Sequence, residues 1–365
     1  MAEKRTGISR DLIIHPGETI ADVLEARRMT QADLAVRTGV SPVFIGKVIA
    51  GKKDISNKFA MALEYALGIS KTFWLNLQAR YNAEILEADE ENTITDEELN
   101  VQKMLKDIVK YLGDKNIIPQ NENLTESILS LRKVLKVSNL CNLEKIPTLS
   151  AFRINTTSAV NPCILGAWIR MCQIKEGDLT GSNTFDPQNV DALISELKDV
   201  MLSDDKDIQS AIKSVLYRYG LDFEIIRHFR GAPVQGFIYK RADSRIKICM
   251  TIRRSFADIF WFSLFHELGH LYNGDLSRSS HFLDDGIDKR KEDAADKFAS
   301  DKLMDSTEYS NFLSLYRKAP SFELIERFAA QQRVRPFIVI GRMQKEEIIS
   351  YQQYSNAKLR YKWAK

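Results

Sequence analysis

The strongest constraint on the fold comes from residues 30–51, where two short helical segments are separated by one glycine. Thr30 can cap the first segment, which ends at Gly39, and the second begins at Ser41-Pro42 and ends at Gly51. A hydroxyl before a helix accepts free backbone N–H groups, and proline is tolerated at the first helical position. We therefore expect two short helices joined by a tight turn at Gly39.

Two helices joined in this way form a helix-turn-helix unit. The small side chain of Ala35 allows a close crossing, and Val40, Ile45 and Val48 can fill the space between the helices. In such a unit the second helix enters the major groove of DNA with its N-terminal residues toward the bases. We therefore expect double-stranded operator DNA as a partner, and the candidate contact residues are Gln31, Ser41, Val43, Phe44, Lys47, Lys52 and Lys53.

Charge separates this segment from the rest of the chain. Residues 1–85 hold 12 Lys and Arg against 9 Asp and Glu, so the net charge of +3 lies there and the remainder is neutral. Acidic residues are frequent between Arg80 and Lys103, and no basic residue occurs between those two. This run indicates either a solvated linker or the acidic first turn of a helix. Because 365 residues suffice for two or three domains, we place a domain boundary there.

Composition excludes several other classes of protein. The chain is 44% hydrophobic and 28% charged, which is typical of globular proteins. Its longest apolar stretch, 259–265, is too short to span a membrane, and residues 1–14 lack the apolar core of a secretory signal. The four cysteines form no CxxC pair and indicate reduced, packed thiols. We therefore expect a cytoplasmic protein without a membrane partner.

The middle of the chain, residues 103–220, has helical periodicity and no chemical motif that we recognise. After Gly220 the apolar residues recur with a period of two, in segments 222–227, 234–239 and 245–252. The pattern predicts a small antiparallel sheet, and its last strand could align an extended peptide by edge pairing. A helix over about 255–273 follows this sheet.

That helix contains the motif that carries chemistry, His266-Glu267-Leu268-Gly269-His270. His266 and His270 are four residues apart, so both imidazoles project from one helix face and can bind one metal ion. Glu267 lies about 100° around the helix, where it can accept a proton from water at the site. Short HExxH strings also occur by chance, so the spacing alone leaves a structural helix as an alternative.

A second helix, about 289–303, adds carboxylates at a matching spacing. Glu292 is a candidate third ligand, and Asp296 lies one turn further on the same face, where it can orient a ligand imidazole. Two histidines and one carboxylate leave a coordination position open, as catalytic zinc requires. We expect one Zn²⁺ per chain, and the same pair of acids on a solvated helix face is the alternative. The motif does not determine the oxyanion donor; His281 is the candidate, and Tyr272 and Arg254 are further possibilities.

The N-terminal segment resembles a known family of DNA-binding proteins. His15-Pro16-Gly17-Glu18, the spacing Gln31-x3-Ala35-x3-Gly39 and Phe73-Trp74-Leu75-Asn76-Leu77-Gln78 are similar to HigA-type antitoxins of the Xre helix-turn-helix family, over about residues 12–82. The resemblance implies operator binding as a homodimer and a possible toxin partner. Antitoxins of this type typically end near residue 82, whereas this chain continues for another 280 residues or so.

The later motifs resemble a family of peptidases. The stretch Phe265–Leu271, the run Glu292–Ala299 and Leu303-Met304 look like the ImmA/IrrE metallopeptidases, which are gluzincin-like in the order of their ligands. The resemblance covers about residues 235–345 and implies that His266, His270 and Glu292 are ligands and Glu267 is the base. It also implies a protein substrate, a helix-turn-helix repressor whose cleavage releases stress, mobile-element or phage genes.

Together these patterns predict an α+β fold that is mostly α. We expect a helix-turn-helix domain at 1–83, an acidic linker at 84–102, a helical region at 103–220, a gluzincin-like metallopeptidase domain at 221–350 and a basic, solvated tail at 351–365. Within the fourth segment, Ala329-x4-Val334-Arg335-Pro336 echoes Ala35-x4-Val40-Ser41-Pro42. We expect this echo to pack on the catalytic domain, with a second, decayed helix-turn-helix as the alternative.

The function that we predict is a DNA-binding regulator fused to a zinc-dependent endopeptidase, which cleaves a repressor or itself to relieve repression. The alternative is a non-catalytic antitoxin or repressor whose metal site is structural, sensory or vestigial. The two hypotheses assign different roles to Glu267. A catalytic site uses this glutamate as a base, whereas a purely structural metal site has no need for a glutamate at that position.

Overall fold

The computed structural model describes residues 13–120, 122–147, 160–174, 184–241, 243–276, 289–316 and 320–363. The chain divides into two compact units, with the boundary between Asp96 and Glu97. None of the described helices has both the length and the apolarity that crossing a membrane requires.

The first unit is built from short helices that begin at good N-caps. Its helices are α1 (Pro16–Ala26), α2 (Gln31–Thr38), α3 (Pro42–Ile49), α4 (Asn57–Leu67) and α5 (Lys71–Asp89). The side chains of Thr30, Ser41, Ser56 and Ser70 each accept a backbone N–H in the first turn of the helix that follows. Apolar residues from all of these helices form one core, which includes Ile20, Leu34, Ile45, Val48, Leu63 and Trp74.

The second unit is mostly helical around a small sheet. Its elements are α6 (Asp96–Met104), α7 (Lys106–Asp114), α8 (Leu124–Leu135), α9 (Pro162–Ile174), α10 (Val190–Leu202), α11 (Ile208–Arg218), β1 (Leu221–Ile225), β2 (Gly236–Lys240), β3 (Ile246–Met250), α12 (Ala257–Tyr272), α13 (Lys289–Leu303), α14 (Ser306–Leu315), α15 (Phe322–Gln331) and α16 (Pro336–Lys345). The chain is thus mostly α with a small sheet, as the sequence predicts.

The sheet is mixed, and the prediction of an antiparallel sheet is wrong for one of its two pairings. The strand order is β1-β3-β2; β2 is antiparallel to β3, and β1 is parallel to it. A period of two shows which residues share a face and carries no information on the direction of the neighbouring strand. Because β3 is the central strand, the expectation that residues 245–252 offer a free edge is also wrong, and β2 is the edge strand on that side.

Helix α12 is the centre of the second unit. Apolar residues of α12 such as Trp261, Leu264 and Phe265 are buried, and they join the core that the sheet, α10, α11 and α13 to α16 also contribute to. A helix that is apolar around most of its circumference must be enclosed by other elements. The strongest packing of α12 is against α13, which brings the two candidate metal-binding helices together.

Most described residues of the C-terminal segment are exposed, including Arg360 and Lys362, as a solvated tail predicts, but Lys358 and Tyr361 pack on α12. Lys358 Nζ lies 2.6 Å from the buried Asp258 Oδ2, and Trp261 Nε1 donates to Tyr361 Oη at 2.8 Å. The backbone N–H of Tyr361 also donates to the carbonyl of Ser255. A buried carboxylate at the start of α12 requires a cation, which the tail supplies.

The acidic run over 84–102 is mostly helical, and its last acidic residues, Asp96 to Glu98, form the first turn of a helix, the second of the two expected alternatives. Helix α5 continues to Asp89, a 3₁₀ turn covers Glu90–Thr93, and α6 follows. Glu98 is fully buried and binds Arg132, with Oε1 accepting from Nε at 2.8 Å. The net charge of the run does not reveal this pair, because Arg132 is 34 residues away in the sequence.

Candidate metal centre and nucleic-acid interface

The predicted DNA-binding element consists of α2 and α3, joined by a tight turn. Thr30 and Asp33 form a reciprocal capping box at the start of α2. Gly39 has φ 70° at the end of α2, a left-handed conformation that glycine adopts without steric cost. Ser41 Oγ then accepts the N–H of Phe44 at 3.2 Å and starts α3. Local sequence thus determines the turn.

Most of the seven predicted contact residues have exposed side chains. Val43 is 68% exposed, and the side chains of Gln31, Lys47, Lys52 and Lys53 are accessible as well. The other two residues also have local structural roles. Ser41 caps α3, and Phe44 is half-buried, with its ring 5.0 Å from that of Phe59. The outer surface of α3 is therefore apolar at its start and basic after its end, a pattern that suits base and phosphate contacts.

The predicted metal ligands converge between α12 and α13. His266 Nε2 lies 3.1 Å from His270 Nε2, and Glu292 oxygens lie 3.4 Å from His266 Nε2 and 3.3 Å from His270 Nε2. One ligand atom from each residue falls within 4.8 Å of the others. Gly269 allows this close approach, because a Cβ there would lie 3.0 Å from Ala295 Cα. The glycine inside the motif therefore has a packing role.

Two carboxylates hold the outer nitrogens of the histidines. His266 Nδ1 lies 2.8 Å from Asp296 Oδ1, as the sequence predicts for this residue. His270 Nδ1 lies 2.9 Å from Asp275 Oδ2, and Asp275 was missed by the sequence reasoning. Gly274, with φ 74°, turns the chain back so that the Asp275 N–H donates to the His270 carbonyl. An acidic residue directly after the terminating glycine is the sequence signal that could have found it.

The neighbouring carboxylates raise the pKa of the His270 imidazole. Burial alone would lower the pKa of His270, but hydrogen bonds with Glu292 and Asp275 and the charge of Glu267 raise it to about 9. Burial alone would raise the pKa of Glu292, and its contacts with both histidines lower it far below the usual range. The cluster therefore carries paired charges, with Glu292 ionised.

Glu267 faces the edge strand of the sheet. Its side chain is buried, and a Cβ added to Gly236 at the start of β2 would lie 2.4 Å from Glu267 Oε1. Any side chain at position 236 would displace this carboxylate. Gly236 is a second residue that sequence reasoning missed, and glycine at the start of a strand is a signal of such close approach.

The structure does not assign an oxyanion donor. His281 lies outside the described residues. Tyr272 is 46% exposed with its ring 5.1 Å from that of Phe298, and Arg254 is exposed. Both of these side chains have the surface positions that are ordinary for their residue types.

Comparison with known proteins identifies part of the chain. A helix-turn-helix family model matches residues 20–74. A solved structure from Nostoc punctiforme, described as an antidote protein of a plasmid maintenance system, is 39% identical and covers 22% of this chain and 88% of its own, with a TM-score of 0.21. A HigA-family addiction module antidote protein from Coxiella burnetii is 28% identical and covers 23% of this chain and 96% of its own, with a TM-score of 0.21.

No curated protein matches the chain. The family match agrees with the geometry of the first unit, in which α2, the Gly39 turn and α3 have the arrangement that the sequence predicts. Residues 20–74 are therefore a helix-turn-helix domain of the Xre type, the kind of domain with which transcription regulators bind DNA.

Proposed function

We propose that this chain is a DNA-binding transcription regulator whose second unit is a gluzincin-like, zinc-dependent endopeptidase. The observation that carries the proposal is the convergence of His266, His270 and Glu292 beside the buried Glu267. An ordinary surface charge network, the structural alternative for such a cluster, would not bury His266 and Glu267 at the centre of a domain.

The donor set fits zinc. With Zn–N distances of about 2.0–2.1 Å, two ligand atoms of a tetrahedral site are separated by roughly 3.3 Å. The two Nε2 atoms are 3.1 Å apart, Glu292 Oε2 lies 3.4 Å from His266 Nε2, and the other oxygen, Oε1, lies 3.3 Å from His270 Nε2. With one atom taken from each residue, all three lie within 4.8 Å of one another. Both Nδ1 atoms are held by carboxylates, which directs each Nε2 toward the shared centre. Imidazole and carboxylate in this ratio favour zinc among the divalent metals.

Each residue then has a defined task. His266, His270 and Glu292 would hold the ion, and bound zinc supplies a Lewis acid that makes water a nucleophile at neutral pH. Glu267 accepts a proton from the attacking water and passes it to the leaving amine. The edge strand β2, whose first residue contacts Glu267, can pair with an extended substrate. Asp275 and Asp296 position the two imidazoles.

For the substrate we propose a helix-turn-helix repressor, or the first unit of this chain itself. The resemblance of residues 235–345 to the ImmA/IrrE family supports this choice. Cleavage would then relieve repression of the genes that the repressor controls. A homodimer on operator DNA and a cytoplasmic location belong to the same proposal.

The test compares purified wild type with Glu267→Gln and His266→Ala. We expect about one zinc per chain in wild type and in Glu267→Gln, and a loss of zinc in His266→Ala, by elemental analysis. Wild type should cleave its repressor, and Glu267→Gln should lose about 10²-fold or more of this activity because proton transfer is removed. Failure of wild type to bind zinc at micromolar supply would overturn the proposal.

The burial of Glu267 favours one alternative function. Its side chain is only 3% exposed, so a substrate reaches it only where β2 and α12 leave access. A non-catalytic regulator or antitoxin, with a structural or sensory metal site and a toxin as its partner, needs no such access. In that case operator binding would respond to zinc or to the toxin, and Glu267→Gln would change neither response.

A further inference from the structure

One cavity in the second unit has no part in the proposed chemistry. It has a volume of about 730 Å³ and lies where the loop between β1 and β2 meets α7 and the segment after β3. Its size is within the range of sites for small organic ligands, about 300–1,000 Å³. The residues that line it are Asp107, Lys110, Arg227, His228, Phe229, Arg230, Gly231, Pro233 and Arg253.

The charge of this lining is strongly positive. The lining contains one carboxylate, that of Asp107, and four basic side chains, those of Lys110, Arg227, Arg230 and Arg253. Lys110, Arg227 and Arg230 are exposed at the rim of the cavity, as is Asp107. Cations gathered in a concave surface repel one another and raise the local concentration of anions. The cavity therefore favours an anionic ligand on electrostatic grounds alone.

His228 adds an unused hydrogen-bonding group. Its Nδ1 atom is buried and has no partner within the described part of the chain. Burial lowers the pKa of His228, and the charges of Arg253 and Arg227 lower it further. A neutral imidazole can donate one N–H to a ligand oxygen, and a buried polar atom without a partner is costly unless a ligand satisfies it.

The loop that presents these groups is held in place by the fold. Gly231 has φ 95°, and its carbonyl accepts the N–H of Asn161 at 2.8 Å. Arg227 is stacked over the Tyr111 ring, 6.0 Å from its centre, and Phe229 packs edge-on against the same ring. The contact with Tyr111 restricts the Arg227 side chain before binding, which reduces the entropy that Arg227 loses when it binds a ligand.

From these observations we propose that the cavity binds a small ligand carrying two or more phosphate groups. The guanidinium groups of Arg227 and Arg230, the ammonium of Lys110 and the neutral imidazole of His228 supply several donors, and guanidinium matches phosphate oxygens in pairs. Arg253 adds a further positive charge, although its Nη1 already donates to the carbonyl of Pro233. The proposal does not rest on the peptidase activity, because the cavity contains none of the candidate metal ligands.

The loop that lines the cavity also connects it, through the chain, to the candidate metal centre. Residues 227–233 line the cavity, and the chain then enters β2 at Gly236, which contacts Glu267. Occupancy of the cavity would thus act on the strand that faces the candidate base. Ligand binding does not depend on this consequence for Glu267.

The experiment titrates the full chain with inorganic pyrophosphate and, separately, with ATP and adenosine, by calorimetry in about 0.15 M salt, where weak surface attraction is screened. We expect saturable binding of one pyrophosphate or ATP per chain and none of adenosine. ATP binding more tightly than pyrophosphate would indicate a nucleotide, and equal affinities would indicate recognition of the phosphates alone.

Variants locate the site. Arg227→Ala and Arg230→Ala should each weaken binding roughly tenfold, since each removes a charge-assisted hydrogen bond. Lys213→Ala, an exposed cation on α11, is the matched control and should change nothing. His266→Ala and the pair Lys52→Ala and Lys53→Ala should also leave binding intact, which excludes the metal centre and the DNA-binding surface as the site.

Three results would overturn the proposal. These are the absence of saturable binding by both phosphates, binding that survives Arg227→Ala and Arg230→Ala, and binding of a short DNA duplex that depends on these arginines while pyrophosphate does not bind. The last result would make the cavity part of a nucleic-acid surface. Thermal unfolding of each variant confirms that the loss reflects the side chain and not the fold.

Discussion

Each unit contains two helices joined by a similar tight turn, and the two pairs of helices are used in different ways. In the first unit α2 and α3 are joined at Gly39, and in the second α15 and α16 are joined at Arg333. The hydrogen bonds of the two turns correspond, since Val40 N–H donates to the Ala35 carbonyl at 3.1 Å and Val334 N–H to that of Ala329 at 3.0 Å.

The two turns also differ in chemistry. Gly39 adopts φ 70° without a side chain, whereas Arg333 adopts φ 53° and pairs with Asp199 of α10. Ser41 caps α3 with its hydroxyl, but Arg335 at the corresponding place caps nothing with its own side chain. Its guanidinium instead donates to carbonyl groups at the end of α10. The second turn is therefore held by its neighbours.

The outer faces of the second helices show the functional difference. Val43 on α3 is 68% exposed, and the corresponding Phe337 on α16 is 5% exposed. Phe337 belongs to the core of the second unit, and α16 packs on α12. The echo in the sequence thus packs on the candidate catalytic domain, as expected. The motif therefore specifies a turn, and the exposed face decides whether that turn can meet DNA.

The largest effect that we predict comes from shortening the two corresponding side chains. Phe337→Ala should lower the free energy of unfolding by about 3–5 kcal/mol, because it removes a buried aromatic ring and leaves a cavity. Val43→Ala should change it by less than about 0.5 kcal/mol, because Val43 is exposed. Chemical denaturation of both variants measures the difference. Similar losses in the two would show that the faces are not used differently.

DNA binding should distinguish the same two helices. Lys47→Ala and Lys52→Ala should weaken binding to duplex DNA, and each should reduce the slope of log affinity against log salt by about one, because one phosphate is no longer neutralised. Arg342→Ala on α16 is the control, because Arg342 is engaged with Glu346 and should not alter the slope. Fluorescence anisotropy at several salt concentrations measures it. Unchanged slopes for the lysine variants would refute the placement of the interface.

Local signals explain what the sequence predicts well. The caps and the glycine turn determine α2 and α3, and the spacing of His266, His270 and Glu292 brings three ligand atoms together once α12 and α13 pack. The caps, the glycine turn and the two histidines each involve residues within one or two helical turns of one another, and Glu292 lies on the next helix along the chain. They are visible in the sequence because they depend on residue types at fixed spacing.

Long-range pairings explain what the sequence does not predict. The parallel pairing of β1 with β3, the burial of Lys358 on Asp258 and the contact of Gly236 with Glu267 each join segments whose proximity no periodicity encodes. Each of these three contacts forms only when the core of the second unit is assembled. The two missed residues of the candidate metal centre, Asp275 and Gly236, belong respectively to a local turn and to such a long-range contact.

A smaller effect should separate the two turns. Gly39→Ala should cost about 1–2 kcal/mol, because the left-handed backbone is unfavourable with a Cβ although nothing lies within 4 Å to clash with it. Arg333→Gly should stay within about 0.5 kcal/mol of wild type, because relief of the backbone offsets the loss of an exposed ion pair. Thermal unfolding of both variants tests this. A large loss in Arg333→Gly would mean that the Asp199 pair dominates.

The smallest effect concerns Lys198, whose Nζ donates to the carbonyl of Gln332 in the second turn. Burial lowers the pKa of Lys198 to about 8, and the charges of Arg333 and Lys302 contribute. Because the folded state binds this proton less tightly than the unfolded chain does, the charge opposes folding below pH 8, and the penalty fades as the pH rises toward the ordinary value of 10.5.

Lys198→Met should therefore raise the melting temperature slightly at pH 7, and this advantage over wild type should shrink as the pH rises from about 8 to about 10. The hydrogen bond to Gln332 is absent from the variant at every pH, so its removal shifts the whole curve and does not produce the trend. Lys213→Met, at an exposed position on α11, should show no such dependence. A constant difference between Lys198→Met and wild type across this range would show that the turn in the second unit tolerates a full charge beside it.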